Sequence, residues 1–404
     1  DLWGVFAKPV IQEDGSWVVE TETTVRNDDI VPHAVRAVSE IFDAEGNSFG
    51  VAEGTATVDL KDKFTIQYSF PMAEVHRWSP EDPYLYDFVV EAGEDRVESY
   101  FAIRSLEIKK CGKYPRLCLN GKPYFFHGLL DQGYWPDGIY TPASPEAYAW
   151  DIQTMKNLGF NTLRKHIKVE PEQFYYDCDR LGMIVFQDMV NNGPYNFLRD
   201  TALPTVGLQK LDDRFLNRNS RNRGEFLRQM ENAVRQLKNH PCICYWTIFN
   251  EGWGQFDSDN VCDKFRLLDD TRFIDSTSGW FRRKCSDVES LHVYFKPVKL
   301  KAVRGRPMVL SEFGGFSRPI QGHMLSDAIP FGYRMYFTKW RLQRAYKKTY
   351  EKRIIANIPR GLSACVFTQL SDVEGEINGL ITYDRRVDKM DRDFVKAVNE
   401  RAKY

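Results

Sequence analysis

The sequence predicts two domains, a β-sandwich over residues 1–108 and a (β/α)8 barrel over residues 109–404, and three observations carry that expectation. Residues 1–108 hold short runs of alternating apolar and polar residues separated by turn clusters, the period of strands with one buried face. From about residue 111 the pattern changes to apolar runs alternating with helical stripes, the order of a parallel sheet. The length of 404 residues exceeds one average domain and suits a small domain plus a barrel of about 250 residues or more.

In the first domain Trp17, Val19, Thr21, Thr23 and Val25 alternate with polar residues, as do Phe64, Ile66, Tyr68 and Phe70. Turns are marked by Glu13-Asp14-Gly15 and Glu45-Gly46-Asn47. Trp78-Ser79-Pro80-Glu81-Asp82-Pro83 is too rich in proline for a central strand, and alternation resumes from Tyr84 to Val90. Eight further strand candidates follow, at Tyr124–Leu129, Asn161–His166, Met183–Met189, Ile243–Glu251, Arg272–Ser276, Ser290–Tyr294, Pro307–Phe313 and Ala364–Leu370. Between the first two, Ser144 is a candidate N-cap with Pro145 in the first turn. Tyr148, Ile152, Met155 and Leu158 follow at helical spacing, and Gly159 stops the helix. Phe226, Met230, Ala233, Val234 and Leu237 form another stripe, ended by Asn239-His240-Pro241. Eight βα units are what a TIM barrel requires; a doubly wound sheet is disfavoured because no G-x-G-x-x-G follows a first strand.

Composition narrows the function. The 55 basic and 56 acidic side chains leave a net charge of −1, and 43% of residues are hydrophobic, so nothing suggests a disordered chain, a nucleic-acid binder or a polybasic membrane segment. No run of 18 apolar residues and no signal-peptide pattern in the first thirty residues is seen. Aromatic residues are abundant at 14%, with 9 Trp and 20 Tyr, and serve either as core filling or as stacking platforms for sugars and other flat ligands. The 8 cysteines (111, 118, 178, 242, 244, 262, 285 and 365) are scattered without zinc spacing, so free thiols, a reducing compartment and a cytoplasmic location are expected. The chain begins at Asp1 and reads as processed or as a piece of a longer protein. No G-x-S-x-G, Walker A or H-E-x-x-H motif occurs. The basic stretches Arg218–Arg228 and Lys296–Arg306 are mixed with other residues and read as solvated faces or loops.

In such a barrel the residues that converge are those at the C-terminal ends of the strands. Two carboxylates stand there, Glu251 after the fourth strand and Glu312 on the seventh, 61 residues apart. A pair facing one cavity can divide acid/base and nucleophilic work on a glycosidic bond. Either Glu could instead cap a loop or meet an Arg, but company at the other strand ends favours the pair. Asp131 follows the first strand; Arg164 and His166 close the second, Asp188 the third, His292 and Tyr294 the sixth, Gln369 and Asp372 the eighth. Trp135, Trp253 and Trp280 are candidate sugar platforms, whereas Trp246 lies within a strand and is assigned to the core.

Five segments in order, between about residues 70 and 315, resemble glycoside hydrolase family 2, the family of β-galactosidases, β-glucuronidases and β-mannosidases. Arg77-Trp78-Ser79-Pro80-Glu81-Asp82-Pro83-Tyr84-Leu85-Tyr86 is similar to a motif near the end of its immunoglobulin-like sandwich, and Leu119-Asn120-Gly121-Lys122-Pro123 to the lead-in to its barrel. Asn161-Thr162-Leu163-Arg164-Lys165-His166 resembles its second strand, Asn239-His240-Pro241 through Asn250-Glu251 its acid/base strand, and Ser311-Glu312-Phe313-Gly314 its nucleophile strand. The resemblance implies a retaining mechanism with Glu251 as acid/base and Glu312 as nucleophile. It further implies that Asn250 binds the sugar 2-hydroxyl and that Tyr294 stands beside the nucleophile. Arg164, His166, Asp131, Asp188, Trp280, His292 and Gln369 are the further candidates for substrate contact. Family members carry a jelly-roll domain ahead of the sandwich, and residues 1–9 look like its last strand.

Departures bear on specificity. In the loop Phe186-Gln187-Asp188-Met189-Val190-Asn191-Asn192-Gly193-Pro194, Asn192 and Pro194 stand where metal-dependent β-galactosidases place magnesium ligands, so neither a metal nor another cofactor is expected. No clear Asn-x-Lys signature for a glucuronate is present, and Thr368-Gln369-Leu370-Ser371-Asp372 lacks the Trp that many members place under the sugar. The expected activity is that of a retaining exo-β-glycosidase, β-galactosidase-like. The alternatives are a β-glucuronidase, a β-mannosidase or a catalytically silent carbohydrate-binding relative. The expected partner is a carbohydrate, with no nucleic acid and no membrane, and a homo-oligomer is left open.

Overall fold

The alternation in the first hundred residues becomes two antiparallel sheets. The computed structural model describes residues 3–205, 212–294, 305–325 and 331–404. Its first seven strands are β1 (Val5–Ile11), β2 (Trp17–Arg26), β3 (His33–Phe42), β4 (Ser48–Val58), β5 (Lys63–Met72), β6 (Tyr86–Ala92) and β7 (Asp95–Phe101). One sheet has the order β1-β2-β5 and the other β4-β3-β6-β7. Their inner faces bury Trp17, Val19, Phe70 and Met72 from one sheet with Ile41, Tyr86, Phe88, Val90 and Phe101 from the other. The alternation fades toward one end: Val25 pairs with Phe64 beyond this core, and Phe64 is left exposed. Trp78 is buried although its proline-rich segment forms no strand, and its N–H donates to Ile103 O at 2.9 Å. Within the segment expected to close a preceding domain, Val5 to Ile11 pairs along its whole length with Thr23 to Trp17 of β2.

Asp1–Arg104 and Arg235–Pro241 form one compact unit, Ser105–Val234 and Cys242–Tyr404 the other. The second unit opens with a small antiparallel sheet of β8 (Leu106–Cys111), β9 (Tyr114–Leu119) and β10 (Lys122–Pro123). Asn120 and Gly121 turn β9 into β10, both at positive φ (53° and 81°), the conformation that makes Asn-Gly the preferred tight hairpin pair.

The predicted parallel strands are β11 (Phe126–Asp131), β12 (Thr162–Lys165), β13 (Ile184–Asp188), β14 (Ile243–Asn250), β15 (Phe273–Ser278), β16 (Glu289–Val293) and β17 (Met308–Gly314), then, after the short parallel pair β18 (Phe316–Ser317) and β19 (Arg334–Met335), β20 (Leu362–Thr368). They form one eight-stranded sheet, order β15-β14-β13-β12-β11-β20-β17-β16, and the hydroxyls of Ser278 and Ser290, on its two outermost strands, lie 3.3 Å apart. This is the expected TIM barrel, following the sandwich in the chain. Every residue of β14 is buried, as befits a strand covered on both faces, and the Trp246 indole donates to Asp269 at 2.8 Å within the core.

Helix Glu146–Asn157 buries Tyr148, Ile152 and Met155 and stops at Gly159 (φ 84°). Its predicted Ser144 cap is not made: Pro145 occupies the cap position in helical conformation, and the Ser144 hydroxyl donates to the Glu146 carboxylate. Helix Ser220–Leu237 buries all five residues of its predicted stripe. Of the basic stretches, Arg218–Arg228 lies in this helix and the turn before it, and residues 296–304 lie outside the described residues. All eight cysteines are free thiols.

Candidate active site

Asn250 ends β14, and Glu251 follows it at φ +50°, a left-handed conformation that residues with a side chain rarely adopt. The Glu251 N–H donates to Ser278 O at 2.9 Å, so β15 fixes the turn. Gly252 completes it at φ +74°, where a Cβ would stand 2.4 Å from the Phe281 ring.

Glu312 comes from β17, directly paired in register with His292 of β16. Its Oε1 accepts from Arg164 Nη1 at 3.0 Å and lies 3.7 Å from His166 Nε2; its Oε2 accepts from the Tyr294 hydroxyl. Tyr294 also lies 3.2 Å from the Thr368 hydroxyl and stacks on Tyr333 with ring centroids 3.8 Å apart. Arg164 is the hub. Its Nε and Nη2 donate to the two oxygens of Asp188, each at 2.9 Å, while Nη2 also reaches Asn250 Oδ1 at 2.8 Å and Nη1 reaches Ser311 O at 3.2 Å. This forked geometry suits guanidinium and no other side chain. Burial opposes the charge, but Asp188 and Glu312 outweigh it and hold Arg164 protonated.

His292 joins the two glutamates. Its Nδ1 is 2.7 Å from Glu251 Oε1 and 3.5 Å from Glu312 Oε2, and its Nε2 is 3.0 Å from the Ser278 hydroxyl. The ring packs so closely on Gly279 that a Cβ there would lie 2.6 Å from Nδ1. One oxygen of Glu251, one of Glu312 and a ring nitrogen of His292 all lie within 4.8 Å of one another.

The electrostatics of the two carboxyls differ. Burial pushes Glu251 up to about 7, against the pull of Arg164. Burial also raises Glu312, and the Glu251 charge adds to this, but His292, Arg164 and the Tyr294 hydroxyl act in the other direction. With two charge-stabilising donors on Glu312 and an imidazole on Glu251, the pair's first proton belongs on Glu251. The imidazole is neutral near pH 7, since burial pushes His292 down to about 4. His166 is also held neutral by burial, well below its ordinary value. Its Nε2 lies 3.2 Å from Asn250 Nδ2 and is assigned as the acceptor, which leaves a buried Nδ1–H without a partner among the described residues. The Trp280 indole N–H is likewise buried without a partner there, its ring 5.7 Å from that of His292.

Glu251, His292 and Glu312 are, among the described residues, the group with the spacing of metal ligands. Because Arg164 and Tyr294 already occupy Glu312, this donor set is that of a carboxylate pair bridged by an imidazole. In the loop after β13, Asn192 and Pro194 supply neither a carboxylate nor an imidazole, a donor chemistry that does not fit magnesium.

The structure thus brings together Glu251, Glu312, Asn250, Arg164, His166, Asp188, His292 and Tyr294, with Trp280 against their edge. Five of the expected residues are engaged by other partners. Asp131 is buried in an ion-pair cluster, 2.6 Å from Lys165 Nζ, and Lys165 in turn meets Glu170 at 2.9 Å. Gln369 is buried with its carboxamide fully engaged by Gln132, Glu376 and Asn378. Asp372 is paired with Lys389. Trp135 is buried under Arg385, and the Trp253 indole donates to Gly193 O at 3.0 Å. Tyr333, Glu376 and Gln132 were not singled out by sequence reasoning. They lie in loops without periodicity, and the only signal was the acidic repeat Asp372-Val373-Glu374-Gly375-Glu376 after the eighth strand.

Comparison with known proteins places the chain. The model of "Glycosyl hydrolases family 2, TIM barrel domain" matches residues 111–357, and that of "Glycosyl hydrolases family 2" matches residues 2–104. The β-galactosidase of Streptococcus thermophilus is 25% identical over 261 residues, 62% of this chain and 24% of that protein. The chain therefore spans about a quarter of the length of that relative. Among solved structures, a β-galacturonidase from Eisenbergiella tayi bound to galacturonate superposes with a TM-score of 0.73 at 19% identity, covering 98% of this chain and 71% of that one. A Bacteroides uniformis β-glucuronidase gives 0.73 at 16% identity, covering 95% and 48%. At such identities the structures carry the fold alone. The family models, which together match most of the chain, show that it belongs to glycoside hydrolase family 2.

Proposed function

We propose that this chain contains the catalytic machinery of a retaining exo-β-glycosidase with β-galactosidase-type specificity. The observation that carries the reading is the carboxylate pair: an oxygen of each lies within 4.8 Å, and although burial raises both carboxyls, Glu312 alone accepts from Arg164 and Tyr294, so its charged form is the better supported of the two. Retaining glycosidases hold the two carboxyl groups about 5–5.5 Å apart, whereas inverting enzymes need about 6.5–9.5 Å for a water.

In the first step Glu312 attacks the anomeric carbon while protonated Glu251 donates to the leaving oxygen, forming a glycosyl ester on Glu312. In the second step Glu251, now ionised, takes a proton from water as the water displaces Glu312. Arg164 and Tyr294 hold the nucleophile in place and favour its charge. Asn250 spends its Oδ1 on Arg164 and one N–H toward His166, leaving a second N–H for the sugar 2-hydroxyl. The N–H groups of His166 and Trp280, without a partner among the described residues, are further donors for hydroxyls. The β-galactosidase relative supports the choice of glycone.

No helix among the described residues is long and apolar enough to cross a membrane. The eight free thiols support a reducing, cytoplasmic setting. The test is a panel of aryl β-galactoside, β-glucoside, β-mannoside and β-glucuronide beside a Glu312→Gln control. Release from the galactoside that is lost in the control is expected; turnover that survives Glu312→Gln would overturn the assignment.

A further inference from the structure

Beyond the bond-breaking groups, a third carboxylate stands at the same end of the barrel. Tyr294 donates to the nucleophile and lies 3.2 Å from Thr368, the last residue of β20. The next residue, Gln369, donates from Nε2 to Glu376 Oε2 at 3.1 Å, and Gln132, just past β11, donates to the same oxygen at 3.0 Å. Gln132 also donates to Gln369 Oε1 at 2.9 Å, so two amides brace each other and pin one oxygen. The backbone is pinned as well. Phe331 accepts from Ile377 N at 3.0 Å and donates to Gly375 O at 2.8 Å, and two residues on, Tyr333 stacks on Tyr294. Glu376 Oε1 carries no partner among the described residues, and the residue is only partly buried. Burial raises the Glu376 carboxyl and the charge of Glu251 raises it further, while Tyr333 feels Glu251, Glu312 and Glu376 together. The three acids therefore share one field.

Resting on the glycosidase reading above, we propose that Glu376 is the specificity-determining residue of the glycone pocket. Its unpartnered oxygen accepts from a hydroxyl remote from the anomeric carbon and selects neutral hexosides over uronides. A braced carboxylate is a strong acceptor for a hydroxyl, because a hydrogen bond to a charged group is shorter and stronger than a neutral one. The carboxylate of a uronide in that place meets a like charge in a half-buried site, with both groups desolvated.

The test compares the full chain with Glu376→Gln on aryl β-galactoside, its 4-deoxy and 6-deoxy analogues, and aryl β-galacturonide. The unaltered chain is expected to prefer the galactoside to the galacturonide. Glu376→Gln should lower kcat/KM on the galactoside by about 10- to 100-fold, the loss of one charge-assisted hydrogen bond. That loss should shrink on one of the two deoxy analogues, and the galacturonide should close part of its gap. Equal losses on all four substrates would mean a merely structural Glu376 and would overturn the proposal, as would preference for the galacturonide by the unaltered chain. Turnover that is indifferent to Glu376→Gln sinks this proposal and leaves the glycosidase reading standing; absence of turnover of any panel glycoside by either protein sinks both.

Discussion

Replacing Glu251 with Gln removes the proposed acid/base and, by the same physics, should stabilise the fold at high pH. Burial lifts the Glu251 carboxyl from 4.5 to about 7, and at about 1.4 kcal/mol per decade that gap is worth about 3 kcal/mol. Its folded value lies above its unfolded one, so the folded protein binds the proton more tightly. The cost of the ionised form is absent below pH 4.5, grows through the interval and is complete above about pH 7. Gln carries no charge at any pH and keeps an oxygen and an N–H within reach of His292 Nδ1, now 2.7 Å from Glu251. Thermal unfolding of the two proteins at pH 4.5, 6 and 8 reads the difference. Equal Tm values are expected at pH 4.5, and a gain of several degrees for the variant at pH 8, since about 1 kcal/mol moves Tm by about 2–4 °C in large domains. At the same time kcat on glycosides with poor leaving groups should fall by about 10²–10⁴. A stability difference that does not change with pH, or a variant less stable at pH 8, would refute the claim that desolvation raises the Glu251 carboxyl.

Three further outcomes follow from the same contacts. Arg164→Met strands Asp188 and Glu312 as buried carboxylates and should cost about 3–5 kcal/mol in chemical denaturation, the loss expected when one partner of a buried ion pair is removed. Gly279→Ala combines a φ of +86° with a Cβ 2.6 Å from His292 Nδ1; a loss of about 1–3 kcal/mol is expected, together with a fall in kcat as the imidazole is displaced. Tyr294→Phe removes a hydroxyl donor from Glu312, so the acid limb of the kcat/KM profile, which reports the nucleophile's ionisation, should move to higher pH.

Much of this architecture is visible in the amino-acid pattern because burial imposes a period. The stripe of Phe226, Met230, Ala233, Val234 and Leu237 is buried as its spacing predicts, and the run ending at Asn250 is a wholly buried strand. Where burial weakens, so does the signal: Phe64 alternates correctly yet is exposed, because it lies past the edge of the sandwich core. The carboxylate pair and Arg164 are legible from their positions at strand ends, where backbone geometry alone makes side chains converge. Partner choice is not legible in that way. Asp131 and Gln369 also occupy strand ends, but Lys165 captures one and Gln132 with Glu376 the other, through residues from loops and other strands. Tyr333 and Glu376 come from irregular segments whose placement depends on long-range contacts, and no local period announces them.

The most direct measurement of the central claim is the fate of the nucleophile. Incubation with 2-deoxy-2-fluoro-β-galactosyl fluoride, in which fluorine slows breakdown of a glycosyl ester, should add one sugar mass to the intact chain. Peptide mapping should then place that mass on Glu312. The adduct should be absent from Glu312→Gln. Galactoside hydrolysis that yields the α-anomer first, or a label that maps to any residue other than Glu312, would contradict a retaining mechanism built on Glu251 and Glu312.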